Sequence, residues 1–86
     1  MKVVPEPLEF DWDKGNADKS LKKHGVIREE AESVFVDPEG LVLPDEKHSI
    51  VEKRFLLVGR SIQMRYLLVS FTVRVGKVRI ISARRR

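Results

Sequence analysis

A chain of 86 residues with 42% hydrophobic and 35% charged side chains can bury one modest core, so the sequence predicts a single domain over residues 1–86. It contains no cysteine, which excludes disulfide scaffolds, thiolate metal sites and cysteine nucleophiles. Its first residues lack an apolar signal core, and its aliphatic runs are far shorter than a membrane span. We therefore expect a soluble, cytoplasmic protein with no membrane partner.

Charge is distributed unevenly along the chain, although the formal net charge is only +4. Residues 1–48 hold 7 Lys/Arg against 12 Asp/Glu, a net −5, whereas residues 49–86 hold 10 against 1, a net +9. Eight of the ten cations in the second half are arginines, whose planar guanidinium suits phosphate oxygens. This asymmetry favours a polyanionic partner. The alternative is that the arginines are simply solvent-exposed residues on the outward faces of strands.

The first half of the chain is predicted to form one strand and two helices. Residues 8–12 alternate apolar and acidic side chains, which is typical of a strand with one buried face. The first helix is expected to be capped by Asp13, with Trp12 stapled against Ala17, and to end at Gly25. A second helix is indicated by an apolar stripe of Ile27, Ala31, Val34 and Phe35. An Asp-Pro-Glu-Gly sequence at residues 37–40 is expected to end it.

The second half is predicted to form four strands. A short strand over residues 41–43 and a loop over 44–48 precede three longer strands, at about 51–58, 64–75 and 77–83. The strand over 64–75 is apolar on both sides, which suits a central strand covered on both faces. The order β-α-α-β-β-β-β predicts an α+β domain whose mostly antiparallel sheet is packed by the two N-terminal helices on one face.

The candidate chemistry follows from what the chain lacks and what it retains. The common phosphate-loop, dinucleotide, zinc-protease and serine-hydrolase motifs are absent, and His24 and His48 offer no local metal-ligand spacing, so no metal and no cofactor are expected. An arginine-rich half with one acid, Glu52, fits RNA cleavage without a metal. A base takes the proton of a ribose 2′-hydroxyl, and arginines stabilise the charge that develops on the phosphorane.

Three residues are candidates for the base, and each has a structural alternative. His24 can instead complement the dipole at the end of the first helix, which is the interpretation we favour. His48 can equally be a solvated loop histidine. Glu52 can form an ordinary surface ion pair with Arg54, which lies two residues further along the predicted strand.

Six sequence blocks, in this order and spacing, resemble the BrnT family of type II toxins over residues 8–84. They are Phe10-Asp11-Trp12-Asp13, Lys23-His24-Gly25-Val26, Ala31 with Val34-Phe35 and Asp37-Pro38, Asp45-Glu46-Lys47-His48-Ser49, Arg54-Phe55 with Gly59, and Arg79-Ile80-Ile81-Ser82-Ala83-Arg84. The resemblance implies a fold similar to RelE-type ribonuclease toxins and an endoribonuclease activity that arrests translation and growth. It also implies neutralisation by a BrnA antitoxin that carries a ribbon-helix-helix DNA-binding part. The toxin would then contact DNA only indirectly, through the antitoxin.

The resemblance also indicates site residues. Four arginines match the recurrent basic positions of the family, and Lys23 and His24 match its helix-end motif. With the base candidates added, the expected catalytic residues are Arg54, Arg65, Arg79, Arg84, Glu52 and His48. The expected contacts to the RNA substrate, free or on the ribosome, are Lys23, His24, Lys53, Arg60 and Arg85.

The family typically continues into a helix bearing Glu and Tyr, whereas this chain ends at Arg86. The alternative expectation is therefore a catalytically weak or inactive module that binds an antitoxin or RNA.

Overall fold

A computed structural model of the protein describes residues 3–86, except for the side chain of Leu21. Two short helices, α1 (Lys19–His24) and α2 (Arg28–Ser33), precede four strands. The strands are β1 (Leu41–Pro44), β2 (Phe55–Arg60), β3 (Tyr66–Arg74) and β4 (Lys77–Arg85), and they form one antiparallel sheet in the order β1-β2-β3-β4. Single 3-10 turns follow α2 (Val34–Val36) and β1 (Glu46–His48). Among the described residues, no helix is long and apolar enough to cross a membrane. The predicted small α+β domain with an antiparallel sheet is thus confirmed.

The strand predicted at residues 8–12 is reduced to a single bridge. Phe10 lies parallel to Val78, and the flanking hydrogen bonds, Asp11 N–H to the Val78 carbonyl and Val78 N–H to the Glu9 carbonyl, are both 2.8 Å. The alternate apolar residues of this segment pack against the core as expected. The prediction of a full leading strand was wrong because pairing with β4 lasts for one residue only.

The first helix begins later than predicted, at Lys19 instead of after Asp13. The carboxylate of Asp13 accepts a hydrogen bond from the Gly15 N–H at 2.7 Å and a bidentate pair from Arg79, so it closes a tight turn instead of capping a helix. The buried Asn16 side chain donates to main-chain oxygens of both the N-terminal segment and β4, which fixes this turn on the sheet. Gly25 ends α1 as predicted, with φ of +70°.

The core lies between the helices and one face of the sheet. From the helical half it takes the buried side chains of Val26, Ala31 and Val34. From the sheet it takes alternate residues of three strands, which are Leu57, Leu67, Val69, Phe71, Val78, Ile80 and Ala83. Phe35 connects the layers, because its ring meets those of Phe10 and Phe71 edge-on at 5.3 and 5.0 Å between centroids. Three residues of the apolar stripe predicted for the second helix, Ala31, Val34 and Phe35, thus pack in or against the core, whereas Ile27 is exposed and the last turn is a 3-10 turn.

The opposite side of the sheet, which we call the open face, carries the remaining alternate residues. Strand register places them in five rows, which are Leu43-Leu56-Ser70-Ser82, Leu41-Val58-Leu68-Arg84, Arg60-Tyr66, Thr72-Arg79 and Arg74-Lys77. Leu68 and Ser70 are only half-buried and Tyr66 is exposed, so the prediction that this central strand is covered on both faces was wrong. Strand β2 begins at Phe55, later than predicted, and residues 51–54 form part of the loop that leads onto the open face.

Candidate active site

A cleft of about 260 Å³ lies on the open face, where the loop before β2 meets β3 and β4. Three of its lining residues are apolar and six are polar or charged, and they are Asp45, His48, Arg54, Leu56, Leu68, Ser70, Ile81, Ser82 and Arg84. We call this site the arginine cleft. It unites three of the six predicted catalytic residues, namely His48, Arg54 and Arg84.

Ser49 holds the two ends of the loop between β1 and β2 together. Its hydroxyl donates to the Asp45 carbonyl at 2.6 Å and accepts a hydrogen bond from the Arg54 N–H at 3.0 Å. The Asp45 N–H donates in turn to the Arg54 carbonyl at 2.9 Å. These bonds fix the main chain of His48 and Arg54 relative to each other, although six positions separate the two residues.

His48 is oriented by a carboxylate. Its Nδ1 lies 3.0 and 3.1 Å from the two carboxylate oxygens of Asp45, whose side chain is 14% exposed, whereas that of His48 is 59% exposed. An ionised carboxylate only accepts hydrogen bonds, so Nδ1 is the donor. In the neutral imidazole this arrangement leaves the lone pair on Nε2, which is the form that can take a proton.

Arg54 has an unsatisfied donor. Its Nε is fully buried and finds no hydrogen-bond acceptor in the described part of the chain. A buried donor without a partner costs about 1–3 kcal/mol, and more on a charged group, so the site favours a ligand with anionic oxygens. Arg84 is exposed on the same cleft, and within residues 3–86 no carboxylate forms an ion pair with either arginine.

Arg65 lies away from the arginine cleft, against α2. Its Nε donates to the buried Glu30 carboxylate at 2.8 Å, its Nη2 donates to the other oxygen of the same group, and the Ser61 hydroxyl donates to that carboxylate at 2.7 Å. The hydrogen bond from Arg65 is the main cause that holds the pKa of Glu30 below its usual range. This arginine is therefore engaged in connecting the sheet to a helix.

Arg79 is also engaged by acids. Its guanidinium nitrogens lie 3.0 and 2.9 Å from the Asp13 carboxylate and 3.5 Å from that of Asp11, and its side chain is only 12% exposed. The Arg79 hydrogen bond, ahead of that from Gly15, lowers the pKa of Asp13. The contacts tie the N-terminal segment to β4.

Glu52 pairs with Arg74, not with Arg54. The Arg74 Nε and Nη2 donate to its two carboxylate oxygens at 2.9 and 3.0 Å. These bonds lower the pKa of Glu52, which makes its carboxylate a weaker base. The alternative of a Glu52–Arg54 ion pair on one strand was wrong, because neither residue belongs to a strand and Arg74 of β3 supplies the partner.

The predicted RNA contacts are dispersed over the surface, and none lines the arginine cleft among the residues that the structure describes. Lys23 and His24 occupy the last turn of α1. Lys53 is exposed and Arg85 lies beside Leu67, on the side of the sheet that carries the helices. Arg60 is on the open face, where it stacks on Tyr66.

Residues to which the sequence analysis gave no role in the site complete the cleft. Asp45 and Ser49 orient His48 and Arg54, and Ser70 and Ser82 add hydroxyls to the lining. The spacing of Asp45, three residues before His48 in a polar loop, is the one signal that could have found the histidine's partner. Ser70 and Ser82 can be assigned to the cleft only when the pairing of β3 with β4 is known.

The fold and cleft define a small α+β domain with a basic site on one face of an antiparallel sheet. The model of the family described as "Ribonuclease toxin, BrnT, of type II toxin-antitoxin system" matches residues 12–86. The chain therefore belongs to the BrnT family of ribonuclease toxins, as its sequence blocks indicated. No curated protein matches the chain.

Proposed function

We propose that the chain is an endoribonuclease toxin that cleaves RNA without a metal ion in the arginine cleft. Membership of a ribonuclease toxin family implies an RNA substrate and an antitoxin partner. The observation that carries the assignment to this cleft is the buried Arg54 Nε, which has no acceptor among the described residues and lies beside the Asp45-oriented His48.

In this proposal Arg54 and Arg84 bind the scissile phosphate. Neither guanidinium has a carboxylate within ion-pair distance among residues 3–86, and Arg54 acts on Glu52 only through the longer-range attraction that helps to lower the pKa of that carboxyl, whereas Arg65, Arg74 and Arg79 are held by acids. A guanidinium without an ion-pair partner can donate hydrogen bonds to the phosphoryl oxygens and stabilise the negative charge that develops on them in the transition state. Arg65 and Arg79 then support the fold and do not contact the substrate.

His48 acts as the general base in the proposed reaction. Its Nε2 takes the proton from a ribose 2′-hydroxyl, and the 2′-oxygen forms a bond to phosphorus. The bond from phosphorus to the 5′-oxygen breaks, and that oxygen leaves with a proton from the imidazolium or from water. The products are a 2′,3′-cyclic phosphate and a 5′-hydroxyl. Asp45 holds the imidazole in the required tautomer by accepting the hydrogen bond from Nδ1.

The cellular role follows from this activity. We infer that cleavage of RNA, free or on the ribosome, inhibits translation and growth in the cytoplasm. A BrnA-like ribbon-helix-helix antitoxin would neutralise the toxin, and an acidic segment covering Arg54 and Arg84 is the simplest way to do so. The sheet with helices on one face is compatible with the RelE-like arrangement that the sequence resemblance implies.

The proposal is tested by comparing cleavage rates of matched variants on one RNA substrate. We expect His48→Gln to slow cleavage about 100-fold or more, because general base catalysis contributes at least that factor. Arg54→Ala should slow it about 100- to 1,000-fold by removing a transition-state donor. Arg74→Ala, which removes the same charge from the Glu52 ion pair outside the cleft, is the control and should change the rate little.

Two outcomes would overturn the assignment. Equal losses in Arg54→Ala and Arg74→Ala would show that net charge, and not this cleft, controls activity. Full activity in His48→Gln would remove the proposed base. A third outcome, loss of cleavage of free RNA in a metal chelator with activity restored by a divalent cation, would refute the metal-free mechanism.

A further inference from the structure

A second cleft, of about 470 Å³, lies on the same open face. Leu41 and Leu43 of the edge strand β1 form part of its floor, and Asp37, Glu39, Arg60 and Tyr66 stand around it. Both leucines are exposed, by 57% and 43% respectively. The site is thus an accessible apolar surface with polar groups at its rim, next to the arginine cleft.

Tyr66 and Arg60 are held against each other in this cleft, and we call the pair the Tyr66–Arg60 platform. The guanidinium carbon of Arg60 lies 4.9 Å from the centre of the Tyr66 ring, and its Nη2 donates to the tyrosine hydroxyl at 2.7 Å. The tyrosine is nevertheless 53% exposed. Aromatic rings and guanidinium planes are the surfaces on which proteins stack unpaired bases, and a ring already held in place loses little freedom when a base arrives.

Two carboxylates, of Asp37 and Glu39, and two guanidiniums, of Arg60 and Arg86, line the second cleft, so it offers a phosphate no excess of positive charge. Asp37 and Glu39 stand at its rim, and Asp37 accepts hydrogen bonds from the main-chain N–H groups of Arg60 at 2.7 Å and Glu39 at 3.0 Å. Those bonds lower the pKa of Asp37, so it is ionised at neutral pH. Carboxylates repel a phosphate, whereas they accept hydrogen bonds from the N–H groups of an uncharged base.

Strand register places the platform one row from the arginine cleft. Tyr66 precedes Leu68 by two residues in β3, and Leu68 is the cross-strand partner of Arg84. Residues on the same face of a strand are about 6.6–6.8 Å apart when two positions separate them. An extended nucleic acid strand can therefore place a phosphate beside Arg84 and a neighbouring base on the platform.

We infer that the Tyr66–Arg60 platform is a nucleobase subsite, which stacks a base of the RNA strand whose phosphate occupies the arginine cleft. The inference rests on the proposed ribonuclease function. It adds that the Tyr66–Arg60 platform, by binding one base, determines which phosphate of the strand reaches Arg54 and His48. The ligand is single-stranded RNA, because a base within a duplex offers no free face for stacking.

The test is the affinity for a short labelled RNA whose 2′-O-methyl groups prevent cleavage, measured by fluorescence anisotropy at several salt concentrations. Tyr66→Ala should weaken binding about 5- to 100-fold, and Tyr66→Phe, which keeps the ring, should weaken it much less. Because stacking is uncharged, the slope of log K against log salt should not change in Tyr66→Ala. In Arg84→Gln that slope should fall by about 0.7, since one phosphate contact is lost.

A second series removes one base at a time from the same RNA. One abasic position should weaken binding to the unaltered chain by a factor close to that of Tyr66→Ala, and it should have little further effect on the Tyr66→Ala protein. Val75→Ala, in the exposed turn between β3 and β4, is the control for substitution at an apolar surface residue. Thermal unfolding shows that each variant is folded.

The outcomes separate this inference from the proposed function. If Tyr66→Ala binds RNA as the unaltered chain does, or if its effect adds to that of every abasic position, the base subsite is refuted. RNA cleavage that still depends on His48 and Arg54 would then leave the ribonuclease function standing. Absence of both RNA binding and cleavage in the unaltered chain would refute the two together.

Discussion

Replacing Glu30 by glutamine removes one charge from the most deeply buried ion pair that the structure describes. Glu30 is 1% exposed and accepts hydrogen bonds from Arg65 and Ser61. Glutamine keeps one acceptor oxygen but presents an NH₂ group to the Arg65 guanidinium, where donor faces donor. A hydrogen bond to a charged group contributes about 1.5–3 kcal/mol, and breaking a fully buried pair costs about 3–5 kcal/mol.

The expected loss for Glu30→Gln lies at the lower end of these values, at about 2–3 kcal/mol, because the Arg65 side chain is 29% exposed and water can partly solvate it. For a domain of this size each 1 kcal/mol shifts Tm by about 4–8 °C, so Tm should fall by roughly 10–20 °C. Thermal unfolding followed by circular dichroism measures this shift. Glu29→Gln is the matched control, since Glu29 is exposed in the same helix and loses the same charge.

The same pair predicts a dependence on pH. The pKa of Glu30 is lowered in the folded state, chiefly by the Arg65 hydrogen bond, so its stabilisation is complete above the unfolded pKa and is lost as pH falls through the folded pKa. The Tm difference between the unaltered chain and Glu30→Gln should therefore shrink in acid, below about pH 4. Equal Tm values for Glu30→Gln and Glu29→Gln at neutral pH would refute the reasoning.

Three further substitutions test other parts of the account. Arg79→Gln should lower Tm but leave the salt slope of RNA binding unchanged, because Asp13 and Asp11 already occupy its guanidinium; a slope reduced by about 0.7 would show that Arg79 contacts phosphate. Gly59→Ala should cost about 1–3 kcal/mol in denaturant unfolding, since a Cβ there would lie 2.9 Å from Val34 Cγ1; an unchanged midpoint would contradict this close packing. Ser49→Ala should lower the free energy of unfolding by about 1–2 kcal/mol and slow RNA cleavage, because it removes the hydrogen bonds that hold the loop carrying Arg54. Unchanged cleavage would show that the hydroxyl of Ser49 is not needed to position Arg54.

The sequence predicted best those elements that depend on local pattern. Gly76 has φ of +75° in the turn between β3 and β4, and Gly25 ends α1 with φ of +70°, whereas the sequence did not predict the register shift that brings Ala83 instead of Ser82 of β4 to the core. It failed at residues 8–18, where distant partners decide the structure. The carboxylate of Asp13 is bound by Arg79, 66 positions further along the chain, and no local signal distinguishes this role from a helix cap.

The charge asymmetry of the chain is partly resolved within the fold. Acids of the negative first half neutralise arginines of the positive second half, since Glu30 binds Arg65 and Asp13 binds Arg79. Counting charges therefore overstates the surface that is free to bind a polyanion. Arg54 and Arg84 could be recognised as basic positions from the sequence, but their freedom from acids depends on long-range contacts.

Mapping the ends of RNA after incubation with the purified chain tests the central claim most directly, with free RNA in a metal chelator and RNA on ribosomes in the magnesium buffer that ribosomes need. The account predicts fragments with 2′,3′-cyclic phosphate and 5′-hydroxyl ends, from free RNA or from RNA on ribosomes, and it predicts that they disappear with Arg54→Ala but persist with Arg74→Ala. Intact RNA under both conditions, or fragments that survive Arg54→Ala, would contradict it.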